Sequence, residues 1–270
     1  MRSRILKEFI EEIQFNNRNP QNIRALNLLD DKSTNTERVL SVGTYLYRCR
    51  IIADTSKIDK VKGYYGYGPD ESFVPPRQYS KDMRANYRYI PYLYCSNHPY
   101  ISAIEVRPRL SSSISVATIK VIEPICLLDL TGSTSSSKMI ESKQNLFSDL
   151  SELYSKPVTD EDNILDYIPT QFIAEYVKKL GYDGIAYKSS LTPEINDDST
   201  KDRYNTVIFN YDKCIPIKSN VFTVTNNYLD LEKTDVSSEN FDISNFFVEM
   251  LDSIIGGNSE HKEKEETIIV

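Results

Sequence analysis

The sequence predicts an α+β fold with a mixed sheet core and flanking helices. Two observations carry this. Short β-rich runs such as residues 114–122 and 206–211 are separated by segments of helical periodicity, which fits neither a pure bundle nor a pure sandwich. Proline and glycine punctuate these runs: Pro99 and Pro169 suit the first turns of helices, Pro124 separates two strands, and Gly181 stops a helix. The composition agrees. With 270 residues, 40% hydrophobic and 26% charged, the chain is neither collagen-like, nor wholly disordered, nor a small disulfide scaffold.

In chain order, Ile5, Leu6, Phe9, Ile10 and Ile13 share one helical face over residues 2–14, and Asn16, Asn17, Asn19 and Pro20 end that helix. A second short helix is expected over 21–29, then a polar loop to Thr36. A strand runs through 44–52. Residues 59–82, rich in Gly, Pro and Tyr, read as an ordered loop over a site. Within it, residues 63–68 could close over a ligand or be plain surface. Leu93-Tyr94-Cys95 is a short strand and 99–105 a short helix. Strands follow at 114–122 and 125–130. A helix carries Leu146, Phe147, Leu150 and Leu153, and another runs from Pro169 to Gly181. Further strands are expected at 184–187, 206–211 and 221–225. Phe246, Phe247, Met250, Leu251, Ile254 and Ile255 mark a last amphipathic helix, and residues 258–270 an acidic, disordered tail.

The formal charge of −7 is unevenly placed. Residues 230–270 hold eleven acids and three bases, so the remainder is close to neutral. A basic face for direct nucleic-acid binding is not indicated. The N-terminus lacks the apolar core of a signal peptide, and no run approaches the length of a membrane span. A soluble, reducing, cytoplasmic setting is expected. The four cysteines show no CxxC pair, and there are two histidines, so no metal site is expected. Cys95 and His98 fit a nucleophile with its base, but also, more simply, a strand cysteine before a turn histidine.

There is no GxGxxG, no P-loop and no nucleophile elbow. The informative stretch is Arg48 to Arg109, which contains seven of the thirteen arginines, interleaved with ten tyrosines when Tyr47 just before it is counted. Guanidinium forks bind phosphate bidentately and tyrosine faces stack on rings, so a nucleotide or pyrophosphate ligand is one reading. Snorkelling arginines beside edge-strand tyrosines are the other. Asp129, Asp183 and Asn205 are polar residues in apolar runs. Asp183 is expected to shape the turn before Gly184 and Asn205 to pin a loop, and none of the three is assigned to catalysis.

The order of residues carries more. MRANYRYIPYLYCSNHPYISAIEVRP is followed by GYDGIAYKSS and RYNTVIF. Arg84 and Asn86, Ile90-Pro91 with Leu93-Tyr94, Ser102-Ala103 with Glu105-Val106, Gly181 to Ser189, and Asn205 to Phe209 follow the pattern of the RES domain, which the chain resembles over about residues 44–212. Arg48 matches the arginine that opens that domain. Met83, Ser102 and Lys188 depart from the family's usual Gly, Thr and Pro, and either Ser189 or Ser190 fits its serine.

The resemblance implies a fold similar to the ADP-ribosyltransferases and an activity on NAD, cleaved at the nicotinamide–ribose bond. It implies Glu105, Arg84 and Tyr94 as catalytic residues, and Arg48, Arg84, Tyr94 and Ser189 as NAD-binding residues. NAD is then substrate rather than cofactor, with inorganic phosphate a candidate co-substrate. The chemistry is consistent, because a fixed carboxylate stabilises the positive charge that develops on ribose as the bond breaks. The implied protein is a toxin that depletes NAD, as phosphorylase or glycohydrolase, partnered by a helix-turn-helix, Xre-like antitoxin. Transfer of ADP-ribose to a protein, or a catalytically silent nucleotide-binding module, are the alternatives. The expected division is a helical extension over 1–43, a RES-like catalytic domain over 44–225, an amphipathic helical region over 226–257 and the tail over 258–270.

Overall fold

Eight strands form one mixed sheet in the order β1-β5-β6-β7-β3-β2-β4-β8. These are β1 (Glu37–Leu40), β2 (Tyr45–Ile51), β3 (Leu93–Ser96), β4 (Ser113–Val121), β5 (Ile125–Asp129), β6 (Gly184–Lys188), β7 (Tyr204–Ile208) and β8 (Cys214–Thr223). β5 and β6 are parallel and the other neighbours antiparallel. The computed structural model describes residues 2–54, 58, 64–133, 139–156, 164–191 and 202–225, all within one compact unit, Met1–Asn227. The helix expected at 246–255 and the tail lie outside the described residues.

The helices are α1 (Arg4–Glu11), α2 (Arg24–Asp30), α3 (Pro69–Ser72), α4 (Pro99–Glu105), α5 (Glu141–Ser155) and α6 (Ile168–Lys179). α1 starts where the Ser3 hydroxyl accepts the Leu6 N–H at 3.4 Å. α6 carries Pro169 in its first turn and is followed by Gly181 at φ +92°, a conformation that suits a residue without Cβ. The apolar stripes of α1, α2, α5 and α6 pack with Leu128, Ile185 and Val207 on one face of the sheet. Leu46, Leu93, Ile119, Leu127 and Ile208 fill the other, beneath Phe73, Val74 and Tyr211.

Residues 2–43 do not stand apart as an extension. Leu6, Phe9 and Ile13 are fully buried in the same cluster as Ile173, Val177 and Ile185, and β1 pairs with β5. Truncating Phe9 to Ala would cost about 3–5 kcal/mol, as for other buried aromatics. Two strands differ from expectation, and both are sheet edges. β1 was not expected, and β8 runs over Cys214–Thr223 where only 221–225 read as a strand. β8 carries Pro216 at the point where its register with β4 shifts, and an edge or a bulge is where a strand tolerates proline. Its residues are largely exposed, and Pro216 followed by Lys218-Ser219-Asn220 breaks the alternating signal.

Candidate active site

β2 and β3 share a single registered pair, Tyr47↔Ser96, although β2 pairs with β4 along its whole length and β3 likewise with β7. The two strands therefore part, and a cleft of about 680 Å³ opens beside them. Its lining includes Tyr47, Arg48 and Cys49 from β2 and Tyr94, Cys95 and Ser96 from β3. Consecutive strand residues point to opposite faces, so only a parted sheet brings both sets to one cavity.

Two carboxylates line the cleft: Asp82, which pairs with Arg88 at 3.5 Å, and Glu105, the last residue of α4. That helix is set by its start: Pro99 occupies the first turn and His98 Nδ1 accepts the Tyr100 N–H at 3.2 Å. His98 is thus a helix cap, and burial followed by the nearby Arg203 cation holds its pKa below the usual value. Cys95 is 5% exposed, its thiol pushed up by burial. The Cys95–His98 pair is structural, the simpler of its two readings.

Glu105 Oε1 accepts two hydrogen bonds, from Ser189 Oγ and from Asn205 Nδ2, each 2.6 Å. Asn205 is 4% exposed on β7, and its Oδ1 accepts from Ser96 Oγ at 2.5 Å, which turns the amide NH₂ toward the acid. The register makes this possible, since Ser96, Asn205 and Tyr187 lie side by side across β3, β7 and β6. Among the described residues Oε2 accepts no hydrogen bond, leaving one carboxylate oxygen for a ligand. Ser190 Oγ instead donates to the Ser155 carbonyl at 2.5 Å, so of the two serines it is Ser189 that meets Glu105.

Arg84 follows Met83 in a loop fixed from below. Gln171 Nε2 donates to the Met83 and Asn86 carbonyls at 2.9 and 3.0 Å. Tyr94 OH donates to Asn86 Oδ1 at 2.8 Å and accepts the Ala85 N–H at 3.1 Å. Tyr94 therefore positions the Arg84 loop as well as lining the cleft. The Arg84 guanidinium lies 5.2 Å from the Tyr167 ring centre, with Nη1 3.5 Å from the Leu153 carbonyl. Tyr154 and Tyr187 pack at 5.6 Å. Burial pushes the Tyr94, Tyr154 and Tyr187 phenols above their ordinary pKa, so they stay neutral and present donors and ring faces.

Arg48 is a half-buried cation of the cleft. Its Nη1 has no hydrogen-bond partner, and burial lowers its pKa to about 10. It remains protonated at neutral pH, no acid among the described residues pairs with it, and a desolvated charge without a counter-ion is costly. An anionic ligand would relieve that cost.

Arg48, Arg84, Tyr94 and Glu105 thus line one cleft, with Ser189 attached through Glu105. Ser189 itself lines a second cleft of about 570 Å³, which adjoins the first at Ser155. Asn205 corrects the expectation that it pins a loop, because its amide holds the acid; a polar residue within the buried strand YNTVI was the available signal. Ser96, Tyr154, Tyr167 and Tyr187 were also missed. Asp129 pairs with Arg38 at 3.1 Å, away from Glu105. Asp183 accepts the Cys126 N–H at 2.9 Å and pairs with Lys213 at 2.7 Å, closing the turn before β6.

Residues 64–68 are not at the cleft. The Gly66 and Tyr67 N–H groups bond Ser219 Oγ and Ser115 Oγ at 3.1 and 3.0 Å, and a Cβ at Gly66 would run into Ser115. Close backbone approach to β4 and β8 fastens this stretch. No group of three or more metal-ligating side chains occurs among the described residues, and no described helix is long and apolar enough to cross a membrane.

Fold and site together define an α+β protein whose central sheet parts over a cleft of arginines, tyrosines and one held carboxylate. The chain belongs to the RES domain family, whose model matches residues 61–219. Among solved structures, the crystal structure of the M. tuberculosis MbcT–MbcA toxin–antitoxin complex aligns over 74% of this chain and 93% of its own, at 13% identity and a TM-score of 0.42. No curated protein matches.

Proposed function

We propose that this protein is a toxin that degrades NAD by breaking the nicotinamide–ribose bond. One observation carries the reading. A carboxylate held by two donors stands in the same cleft as a half-buried arginine that has no counter-ion among the described residues. An anionic dinucleotide whose ribosyl centre becomes positive as its bond to nicotinamide breaks complements both.

In this reading Arg48 and Arg84 take the pyrophosphate, and Tyr94 lies against the nicotinamide ring. The ring is cationic in NAD, so the neutral faces of Tyr94, Tyr154 and Tyr187 favour it before cleavage over the neutral product. Glu105 Oε2 faces the ribose and stabilises the oxocarbenium-like charge that develops as nicotinamide departs with the bonding electron pair. Ser189 and Asn205 hold the carboxylate in place, so little of its reorganisation falls on the reaction step. NAD is the substrate, and the scheme requires no resident cofactor or metal. Water as acceptor makes the enzyme a glycohydrolase, and inorganic phosphate makes it a phosphorylase. Transfer to a protein side chain and a silent binding module are the competing readings. The expected partner is a helix-turn-helix antitoxin of Xre-like type, with action in the cytoplasm and no direct contact with nucleic acid or membrane.

Phosphorus NMR of NAD incubated with the protein, with and without phosphate, tests this. Loss of the NAD signals with release of free nicotinamide supports cleavage. Unchanged NAD in the presence of tight binding would establish the silent module instead.

A further inference from the structure

The second cleft, of about 570 Å³, has no part in the scheme above. It opens at the carboxyl ends of β5 and β6, the sheet's parallel pair, where Asp129 to Gly132 leave one strand and Lys188 to Ser190 the other. The carboxyl ends of parallel strands are where open sheets leave a crevice for ligands. The remaining wall is α5. Gln144, Ser148, Ser151, Glu152 and Ser155 follow a helical period and give that helix a polar stripe beside the apolar one that packs into the core. Leu130 and Phe147, both buried, add apolar surface to the lining.

Its chemistry differs from that of the first cleft. Among the described residues no arginine lines it. Asp129 is taken up by Arg38 at 3.1 Å and by the Thr131 N–H and hydroxyl at 2.8 and 2.6 Å. Glu152 and Lys188 remain, one charge of each sign, both exposed. The cleft is therefore close to neutral, whereas the first is lined by Arg48, Arg84 and Arg107. Ser151 is 5% exposed, and its Oγ accepts the Lys188 N–H at 3.2 Å. Among the described residues its hydroxyl proton meets no acceptor, and a buried donor of that kind calls for one.

We infer that this cleft binds an uncharged nucleoside, and that Ser151 and Glu152 make it the selective end of the site, taking the adenosine half of the dinucleotide and disfavouring a 2′-phosphate. The dinucleotide part rests on the proposed cleavage of NAD; binding of a nucleoside does not. A nucleoside brings a ring face to Leu130 and Phe147, a ring-nitrogen acceptor to the Ser151 hydroxyl and ribose hydroxyls to the Glu152 carboxylate. Mostly apolar walls with a few convergent polar groups are what such ligands require. The join between the clefts accounts for the rest of the molecule. Arg84 Nη1 lies 3.5 Å from the Leu153 carbonyl, and Ser155, two residues further along α5, lines both clefts. A pyrophosphate on Arg84 thus stands within one helical turn of the join, with its charge among the arginines and the neutral adenosine beyond. An acid suits the ribose 2′-hydroxyl, and a 2′-phosphate needs an arginine that this cleft does not offer among the described residues.

The test uses the full chain, with adenosine as the free probe. Saturation-transfer NMR should show adenosine bound, and adenosine should inhibit NAD cleavage competitively. Ser148→Trp, at an exposed position, fills the cleft without entering the core. It should abolish adenosine binding and raise KM for NAD about tenfold or more, with kcat changed less than about threefold, the pattern of lost ground-state binding. Glu152→Lys, a second exposed change, carries the test where tryptophan disturbs folding: wild type should prefer NAD to NADP in kcat/KM, and the variant should narrow that preference about fivefold or more. Adenosine binding that Ser148→Trp removes, in a protein that leaves NAD intact, would uphold the nucleoside site while removing the cleavage reading. A wild type that cleaves NAD but binds no adenosine, with both variants kinetically unchanged, overturns the site and leaves cleavage standing. Adenosine that binds but inhibits noncompetitively would make a free nucleoside the occupant and overturn the dinucleotide assignment. Equal use of NAD and NADP by the wild type overturns the selectivity.

Discussion

Glu105→Gln separates charge from shape at the centre of the site. Oε1 accepts from Ser189 and Asn205 at 2.6 Å each, and the glutamine carbonyl oxygen can take over both bonds. The amide NH₂ then occupies the place of Oε2, which accepts no hydrogen bond among the described residues, so no packed contact is disturbed. What disappears is the negative charge. If that charge acts on the transition state, turnover should fall while ground-state binding holds. Removing one preorganised electrostatic contact costs about 10²–10³ in rate, or about 2.7–4 kcal/mol, at oxyanion-type sites. The assay is nicotinamide release under saturating NAD, beside calorimetric titration of NAD and a circular dichroism control for folding. Expression of the variant in bacteria should also leave the NAD pool intact where the wild type depletes it. Near-wild-type turnover in a folded variant would show that the carboxylate serves only as the acceptor for Ser189 and Asn205, and would refute its assignment.

Three further perturbations read other parts of the structure. Asn205→Ala should lower stability by about 1–3 kcal/mol, because the buried Ser96 hydroxyl loses its acceptor, and should lower kcat more than it raises KM; chemical denaturation and steady-state kinetics check both. Arg48→Met should stabilise the unliganded fold by about 1–3 kcal/mol, since a half-buried cation with no counter-ion among the described residues gives way to an apolar chain, while NAD affinity in calorimetry drops about tenfold or more with the lost charge-assisted contact. Asp183→Asn should cost about 1.5–3 kcal/mol at pH 7. Burial opposes ionisation of Asp183, but Lys213, the Cys126 N–H and Asn210 outweigh it and hold its pKa below the usual value. A depressed carboxylate contributes its stability above the unfolded pKa and loses it as pH falls through the folded one, so the gap between variant and wild type should close below about pH 4.

What was legible in the sequence follows burial. β4, β5 and β6 lie inside the sheet with both faces covered, and their apolar runs read as strands. β1 and β8 are the two edges, so their residues face solvent and the two-residue period is weak. VFTVT reads as strand from its β-branched residues, and Val221–Thr223 do form the end of β8; the strand begins earlier, at Cys214, where Pro216 and the register shift hide the pattern and pairing with β4 holds it. The first helices were legible as helices from their apolar stripe. That the stripe docks against Ile173, Val177 and Ile185 depends on contacts more than a hundred residues away, which no local pattern encodes.

The site divides along the same line. Glu105, Arg84, Tyr94 and Ser189 were reached through the order of short motifs, but order does not say which atoms meet. Asn205 shows the difference. From sequence it is one polar residue in a strand, and its meaning comes from the β3–β7 register, which sets Ser96 across from it, and from α4, which brings Glu105 over it. A slip of that register by one residue would turn Asn205 to the opposite face and offer Thr206 in its place. Thr206 is buried there with its hydroxyl bonded to the Cys95 carbonyl. The carboxylate would lose its amide donor and Ser96 its acceptor together. The geometry of the acid is therefore a property of sheet pairing as much as of the acid itself, and substitutions that disturb the Ser96–Asn205 pairing should affect turnover even where they leave Glu105 untouched.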